Sequence, residues 1–140
     1  MIIYCTGSKK GDQAHQTLLK NIVDFSESLG HTVLSEASSK LTSTIPLTEN
    51  QVYKRNLKWI DGSKLVIAEI SNGELEIGIE IAYALFSRKI PVLVLHILDE
   101  QMLTAMLIGC DSPLLKIEKY GDASEMQKIV KTFLINLSKS

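Results

Sequence analysis

The sequence predicts an α/β fold: a single doubly wound domain, flavodoxin- or Rossmann-like, with five parallel strands in the order 2-1-3-4-5. Segments typical of strands and of amphipathic helices alternate along the whole chain. The strand candidates, such as Leu65–Ile70, are continuous apolar runs, which indicates burial on both faces of a parallel sheet. Right-handed crossovers between such strands favour the stated order.

The chain begins with the predicted strand Ile2–Thr6 and the polar loop Gly7–Gly11. Asp12 can cap the helix that follows, and Gly30 can end it. The apolar stripe expected for this helix consists of Ala14, Leu18, Ile22, Phe25 and Leu29.

A second strand is predicted at Thr32–Ser35, followed by a long polar segment, Glu36–Leu47. Connections of this length in a compact domain are often functional lids. Thr48 and Gln51 have the spacing of a capping box, which opens the next helix. Its predicted apolar face consists of Tyr53, Leu57 and Ile60.

The central strand Leu65–Ile70 is interrupted after Ser71 by Asn72 and Gly73, and a helix carrying Glu80 follows. The residues at helical spacing in it are Leu75, Ile79, Ala82, Tyr83 and Phe86. The remaining predicted elements are a strand at Pro91–Leu95, a short helix at Gln101–Ile108, a strand at Leu114–Ile117 and a helix at Ala123–Leu137.

Composition excludes several classes of protein. The chain has 140 residues, 45% hydrophobic and 22% charged, which is typical of one globular domain spanning residues 1–140. A net charge of −1 lacks the electrostatic footprint of a nucleic-acid or membrane-surface binder. Cys5 and Cys110 are too few for a disulfide scaffold, and no Cys/His spacing indicates a metal site. We therefore expect a cytoplasmic protein with no metal, no nucleic-acid partner and no membrane association.

The loop after the first strand is a candidate phosphate site. Gly7 and Gly11 let the backbone approach a ligand, Ser8 offers a hydroxyl, and the following helix points its N-terminus inward. Lys9 and Lys10 add positive charge. The loop matches neither a P-loop nor a dinucleotide fingerprint, so a solvated turn with two surface lysines is an equally good interpretation.

Glu80 is the candidate catalytic carboxylate, because ligands of such sheets sit beyond the carboxyl ends of the strands. Helix N–H groups would keep it ionised while apolar neighbours shield it from water, a setting that suits a nucleophile. Those neighbours are Ile77, Ile79 and Ile81. The alternative is a solvated carboxylate stabilised by the helix dipole, as we expect for Glu74 and Glu76.

Four other residues have a functional and a structural interpretation. Asn56 lies beside an apolar helix stripe and could bind a ligand or only bridge loops. Tyr4 lies at the end of the first predicted strand, near the same edge of the sheet, but a tyrosine in such a position is more often a core residue than a catalytic one. Thr104 and Met106 belong to an amphipathic segment that is either core or subunit contact.

Taken in order, these segments resemble the nucleoside 2-deoxyribosyltransferase-like superfamily, and within it the 2'-deoxynucleoside 5'-phosphate N-hydrolase branch. The resemblance covers Ile2 to about Tyr120. The matching segments are Ile3–Ser8, Asn56–Ile60, Leu65–Ile70, Gly78–Glu80, Pro91–Leu93 and Leu103–Met106. No single segment is decisive, but the ordered set is specific.

The resemblance implies that Glu80 attacks C1' of a deoxyribose and releases the base, with Tyr4 beside the sugar and Asn56 at the leaving base. It implies a homodimer in which Thr104 of the neighbouring subunit closes the site, and no cofactor. The substrate-binding residues that it implies are Gly7, Ser8, Lys10, Glu74, Gly78, Thr104 and Met106.

Two residues depart from the family pattern. Asn56 stands where the family carries an aspartate associated with the leaving base, and an amide cannot act as a general acid. Glu69 or Asp61 could supply a substitute carboxylate. Glu74 stands where the hydrolases tend to carry a phosphate-contacting serine, and its charge would repel a monophosphate unless the loop lysines offset it.

Three functions therefore remain as hypotheses, each with a small-molecule nucleotide or nucleoside as the partner. The first is an N-glycosidase that hydrolyses (2'-deoxy)nucleoside 5'-monophosphates through a covalent glycosyl–enzyme intermediate. The second is deoxyribosyl transfer between bases. The third is a nucleotide-binding or sensing protein without turnover, which Asn56 favours.

Overall fold

The computed structural model describes residues 1–9, 12–41 and 45–139. Its centre is a sheet of five parallel strands in the order β2-β1-β3-β4-β5, which confirms the predicted class and topology. The strands are β1 Ile2–Thr6, β2 Thr32–Leu34, β3 Leu65–Glu69, β4 Val92–His96 and β5 Leu115–Lys119.

Helices cover both faces of the sheet. They are α1 Gln13–Ser28, α2 Glu49–Asp61, α3 Leu75–Ala82, α4 Ala105–Ile108 and α5 Ala123–Ser138. The short helix predicted at Gln101–Ile108 is two pieces, a 3-10 turn at Glu100–Met102 and then α4. The two are separate because Thr104 has extended backbone and accepts a hydrogen bond from the Met106 N–H as the N-cap of α4.

Alternation along β1 sends its side chains to two different cores. Ile3 and Cys5 pack with α1 and α5 on one face. Tyr4 packs on the other face, with Ile60 of α2 and Ile77 of α3. Tyr4 and Thr6 share a side of the strand, so the carboxyl end of β1 presents both toward α2 and α3.

Three predicted apolar stripes were partly wrong, and in α2 the error is Tyr53, which is exposed. In α1 the fully buried side chains include Leu19, Ile22 and Val23, whereas Ala14 and Leu29 are exposed. Ser26 completes the buried row because its hydroxyl donates to the Ile22 carbonyl at 2.8 Å. The buried row is therefore rotated by about one position from the predicted one.

The error is larger in α3. Leu75 is 85% exposed and Ile79 54%, whereas Ile77 and Ile81 are buried in the core. The sequence of α3 is apolar on nearly every side, so periodicity could not choose the face that meets the sheet. After Ala82 the helix continues as a π-helix over Tyr83–Arg88, which leaves Phe86 64% exposed.

Within the described residues, none of the helices has the length and apolar character needed to cross a bilayer.

Candidate active site

Glu80 is a buried carboxylate with two hydroxyl donors. Its side chain reaches the carboxyl end of β1 from α3 and is only 5% exposed. The Tyr4 hydroxyl donates to Oε2, and the Thr6 hydroxyl donates to Oε1 at 2.7 Å. The predicted stabilisation by helix N–H groups is wrong, because α3 begins at Leu75 and Glu80 lies beyond its first turn.

Lys9 supplies the positive charge of this site. Its ammonium lies 2.9 Å from Glu76 Oε1 and 3.9 Å from both Glu80 Oε1 and Glu36 Oε2. The side chain is only 12% exposed, so the interpretation of Lys9 as a surface lysine is wrong. Lys9 therefore lies among three carboxylates, and because Arg55 also pairs with Glu36, two cations balance part of their charge.

The pKa values follow from burial and from these neighbours. Burial raises the pKa of Glu80, while the Lys9 charge and the hydrogen bonds from Tyr4 and Thr6 lower it, and the net shift is upward. Burial also raises the pKa of the Tyr4 phenol, and the Glu80 charge raises it further. Tyr4 therefore keeps its proton and acts as a donor to Glu80.

A cavity of about 140 Å³ opens beside Glu80, between α2 and α3. Its lining residues are Val52, Tyr53, Asn56, Leu57, Glu76, Ile79 and Glu80. Asn56 and Glu80, both predicted as catalytic residues, therefore line one cavity. Apolar and polar side chains both line it, as in sites that bind small molecules.

Asn56 is held by its neighbour in the chain. Its Oδ1 accepts hydrogen bonds from Nε and Nη2 of Arg55, at 3.2 and 3.1 Å. The Arg55 guanidinium also binds Glu36 and lies over the Trp59 ring, 4.5 Å from its centroid. Asn56 is 7% exposed, so it belongs to the buried side of α2 rather than to its edge.

The predicted substrate residues Ser8 and Glu74 are in contact. The Ser8 hydroxyl donates to Glu74 Oε1 at 2.9 Å, and Asn72 Nδ2 lies 3.1 Å from Ser8 Oγ and 3.3 Å from Glu74 Oε1. Glu74 thus binds the first loop instead of facing solvent as expected. Lys10 and Gly11, predicted for the same site, lie outside the described residues.

Gly7 has a packing role in this structure. A Cβ at Gly7 would lie 3.2 Å from the Cβ atoms of Glu69 and Leu19 and 3.3 Å from the Glu69 carbonyl oxygen. A side chain there would push the loop away from β3 and α1. The glycine therefore allows the close approach that brings Ser8 and Lys9 toward α3.

Neither proposed substitute carboxylate lies at the cavity. Glu69 accepts from the Tyr120 hydroxyl at 2.5 Å and from the Ser71 N–H at 2.6 Å, and Tyr120 belongs to the core under α1 and α5. Asp61 is bound by the Tyr83 hydroxyl at 2.6 Å. The hypothesis that one of them replaces a missing acid is wrong, since both are engaged elsewhere.

Gly78, Thr104 and Met106 lie apart from Glu80 within one chain. They line a separate, apolar hollow of about 480 Å³ that opens on the other side of α3. Met106 is 86% exposed there. These three residues therefore do not meet Tyr4, Asn56 and Glu80 in the single chain.

Thr6, Glu36 and Arg55 are site residues that the sequence did not identify as such, whereas Lys9 was predicted as a charge of the phosphate loop and not as a neighbour of Glu80. The sequence could have identified Thr6, because it lies two residues after Tyr4 on the same strand and must point to the same face of the sheet. The sequence could not have identified Glu36 and Arg55, since their ion pair joins a polar segment to a helix residue 19 positions away.

Fold and site together define a doubly wound α/β protein with a carboxylate-centred cavity at the carboxyl ends of its strands. No family model matches the chain. A Methanosarcina mazei protein, named a predicted 2'-deoxynucleoside 5'-phosphate N-hydrolase 1, is 33% identical over 135 residues, 94% of this chain and 83% of the relative. The 5-hydroxymethyl-dUMP N-hydrolase of Danio rerio is 22% identical and covers 100% of both chains.

The chain therefore belongs to the 2'-deoxynucleoside 5'-phosphate N-hydrolase family, and it is an enzyme of the N-glycosyl hydrolase class. Solved structures share the fold. The CMP N-glycosidase BcmB of Clostridium botulinum matches with a TM-score of 0.73 and 13% identity, over 95% of this chain and 99% of that one. A 2-deoxyribosyltransferase of Bacillus psychrosaccharolyticus matches with a TM-score of 0.69 and 17% identity, over 91% and 90%.

Proposed function

We propose that this enzyme hydrolyses the bond between base and sugar in (2'-deoxy)nucleoside 5'-monophosphates, with Glu80 as the nucleophile. The observation that carries the proposal is the buried Glu80 carboxylate, held by Tyr4 and Thr6 beside a cavity that also contains Asn56. A carboxylate that is fixed in place and shielded from water is suited to attack an anomeric carbon.

The reaction begins when a carboxylate oxygen of Glu80 attacks C1' and the C1'–N bond breaks. Positive charge develops on the sugar in the transition state, and the Glu80 charge stabilises it. The hydroxyls of Tyr4 and Thr6 hold the carboxylate in one orientation, which favours a productive line of attack. Water then attacks C1' of the glycosyl ester, the ester bond breaks, and Glu80 is released as a carboxylate.

Lys9 keeps the nucleophile in its reactive form. Burial favours the protonated form of Glu80, which cannot attack, and the Lys9 charge opposes that effect by lowering the Glu80 pKa. The ion pair of Lys9 with Glu76 holds the ammonium at the base of α3. A lysine in this place therefore supports catalysis at neutral pH without contacting the substrate.

Two features of the protein bear on the 5'-phosphate of the substrate, with opposite effects. Relatives are named as 2'-deoxynucleoside 5'-phosphate N-hydrolases, and Ser8 offers a hydroxyl within the predicted phosphate loop. Glu74 accepts the Ser8 hydrogen bond and adds a negative charge that opposes phosphate binding. The ratio of kcat/KM for a nucleotide to that for its nucleoside measures this balance.

We also propose a homodimer in which Thr104 of one subunit completes the site of the other. The support is the apolar hollow of about 480 Å³ that Thr104 lines together with exposed Phe86 and Met106. Leu75 and Ile79 are further exposed apolar side chains on α3. Docking a second copy on this surface would remove them from water and would bring α4 toward a neighbouring cavity.

The decisive experiment is incubation of the protein with matched nucleotides and nucleosides, followed by chromatography for free base and mass spectrometry of the intact protein. The proposal expects free base from at least one nucleotide, a sugar adduct on Glu80, and neither product with Glu80→Ala. Base release by Glu80→Ala at the wild-type rate would contradict it. Binding without any base release would support the sensing protein instead.

Deoxyribosyl transfer is the second candidate, and Glu74 is the observation that favours it, because a carboxylate at this position disfavours a phosphorylated substrate. Excess free base added to the reaction separates the two candidates. A new nucleoside forms if the glycosyl ester passes its sugar to the base, and only free sugar forms if water is the acceptor.

A further inference from the structure

The cavity beside Glu80 contains few groups that can help a base to leave. Among its lining residues the polar ones are Tyr53, Asn56, Glu76 and Glu80. Glu80 is the proposed nucleophile, and Glu76 is held by the Lys9 ammonium at 2.9 Å. The leaving base is therefore met by the amide of Asn56 and, at the exposed rim, by the phenol of Tyr53, which is 57% exposed.

The orientation of the Asn56 amide follows from Arg55. A guanidinium can only donate hydrogen bonds, so the atom that faces Nε and Nη2 of Arg55 must be the amide oxygen. Arg55 is itself fixed by Glu36 and by the Trp59 ring. The Asn56 amide is thereby held with its oxygen on Arg55, while its two N–H hydrogens donate to no acceptor among the described residues and can bind a ligand.

An amide N–H can donate a hydrogen bond but cannot give up its proton. A base that leaves from this site can therefore be stabilised as an anion, but Asn56 cannot neutralise it during bond breaking. We infer that the enzyme prefers nucleotides or nucleosides whose base departs as a stable anion, the pyrimidine-2,4-diones, over cytosine or adenine. This inference rests on the proposed N-glycosidase function.

Cleavage of the C1'–N1 bond needs no proton donor when the base leaves as an anion. An electron pair of a Glu80 oxygen forms the bond to C1', and the pair of the C1'–N1 bond stays on the base. In a pyrimidine-2,4-dione that charge spreads onto the two ring carbonyl oxygens, where an Asn56 N–H can donate to it. The released anion takes its proton from water, and the water that later cleaves the glycosyl ester supplies the hydroxyl of the free sugar.

The expected discrimination is large, because a positioned general acid typically contributes about 10²–10⁴-fold to a rate. A base that needs protonation loses this factor, because among the described lining residues Asn56 cannot give up a proton and Glu76 is paired with Lys9. A base with an acidic ring N–H leaves as a stable anion, so the lack of a general acid lowers its rate far less. The acidity of the leaving base should therefore order the rates.

The test uses four 2'-deoxynucleosides with the bases 5-fluorouracil, uracil, thymine and cytosine, each free and as the 5'-monophosphate. All four bases leave through N1, and 5-fluorouracil and uracil have nearly the same size, so acidity is the main variable. The wild type should give kcat/KM values that fall from 5-fluorouracil to uracil, then to thymine and last to cytosine. Cytosine should be slower than uracil by about 10²-fold or more.

Asn56→Asp is the matched variant, since it replaces the amide by a group of the same shape that can carry a proton. It should speed cytosine release by roughly 10²-fold, change 5-fluorouracil release far less, and add an alkaline limb to the pH profile. Tyr53→Phe tests the remaining hydroxyl and should leave the order of the four bases unchanged.

Wild-type enzyme that releases cytosine as fast as uracil would overturn this inference and leave the proposed function standing. Loss of the order in Tyr53→Phe would also overturn it, because the phenol would then be the proton donor. Absence of base release from all eight substrates would remove the proposed function and this inference with it. Should Asn56→Asp not fold, the wild-type order alone decides.

Discussion

The hydroxyl of Tyr4 donates a hydrogen bond to the carboxylate of Glu80, which lies 76 residues further along the chain. Tyr4 is on β1, which lies between β2 and β3 in the sheet, and α3 packs on the face to which Tyr4 points. The contact joins the beginning of the chain to its middle. The charge of the proposed nucleophile is thus held by two elements that meet only in the folded sheet.

Removing the charge of Glu80 should stabilise the fold while it abolishes activity. Glu80→Gln should have no measurable kcat and a higher Tm than the wild type at pH 7. The reason is that the folded-state pKa of Glu80 is raised, mainly by burial, so the ionised form costs stability at any pH above that pKa. As pH falls through the folded pKa, Glu80 becomes protonated, that cost disappears, and the two Tm values should converge.

The Tm values are measured by calorimetry across pH. Glu118→Gln is the control, because Glu118 pairs with Lys116 at a partly exposed position of β5. A lower Tm for Glu80→Gln than for the wild type at pH 7 would contradict the prediction.

Lys9→Met should move the acid limb of the kcat/KM profile to higher pH. The Lys9 charge lowers the Glu80 pKa, so its removal lets burial raise that pKa further. The acid limb reports the ionisation of Glu80 in the free enzyme. Lys116→Met is a suitable control, since Lys116 is half exposed and pairs with Glu118 on β5. An unchanged limb, or one moved to lower pH, would exclude this role of Lys9.

Tyr4→Phe and Thr6→Val should each reduce kcat/KM by roughly 10- to 100-fold at neutral pH. Each removes one hydrogen bond to a carboxylate, and such bonds contribute about 1.5–3 kcal/mol. Steady-state rates at several pH values check this, because both variants should also raise the pKa of the acid limb. Thr6→Ser keeps the hydroxyl and should retain most of the activity. Equal losses in Thr6→Ser and Thr6→Val would show that packing, not the hydrogen bond, matters.

Tyr120→Phe should weaken the fold and leave catalysis intact. It removes one of the two hydrogen bonds of buried Glu69, which costs about 1–3 kcal/mol of unfolding free energy. Urea denaturation measures that loss. Tyr83→Phe, which removes a hydrogen bond to exposed Asp61, should cost no more than about 0.5 kcal/mol. A large fall in kcat for stably folded Tyr120→Phe would bring Glu69 back into the chemistry.

Met106→Lys should convert a dimeric wild type into monomers and reduce activity, because a lysine at this exposed apolar position would be buried without a partner in the dimer. Sedimentation velocity gives the oligomeric state. Ile135→Lys is the control, because Ile135 is 42% exposed on α5, and it should change neither the oligomeric state nor the activity. A wild type that is monomeric and fully active would contradict the proposed dimer.

The fold was predictable because its signals are local. Buried strands appear as apolar runs, and helix boundaries appear as capping residues such as Asp12, Thr48 and Gly30. The face of α3 was not predictable, since apolar residues occur on nearly every side of it. Only contact with the sheet decides that Ile77 is buried and Leu75 is exposed.

By itself the sequence determined the strand order, the family resemblance and the candidates Tyr4, Asn56 and Glu80. Tertiary structure decided what surrounds them: Thr6 and Lys9 at the carboxylate, Arg55 on the amide, and Glu69 on the opposite face of the sheet. The physical reason is the separation along the chain of the residues that interact. Secondary structure depends on neighbours a few residues apart, whereas the charge and hydrogen bonding of a buried group depend on side chains that only the packed sheet and helices bring within a few ångströms.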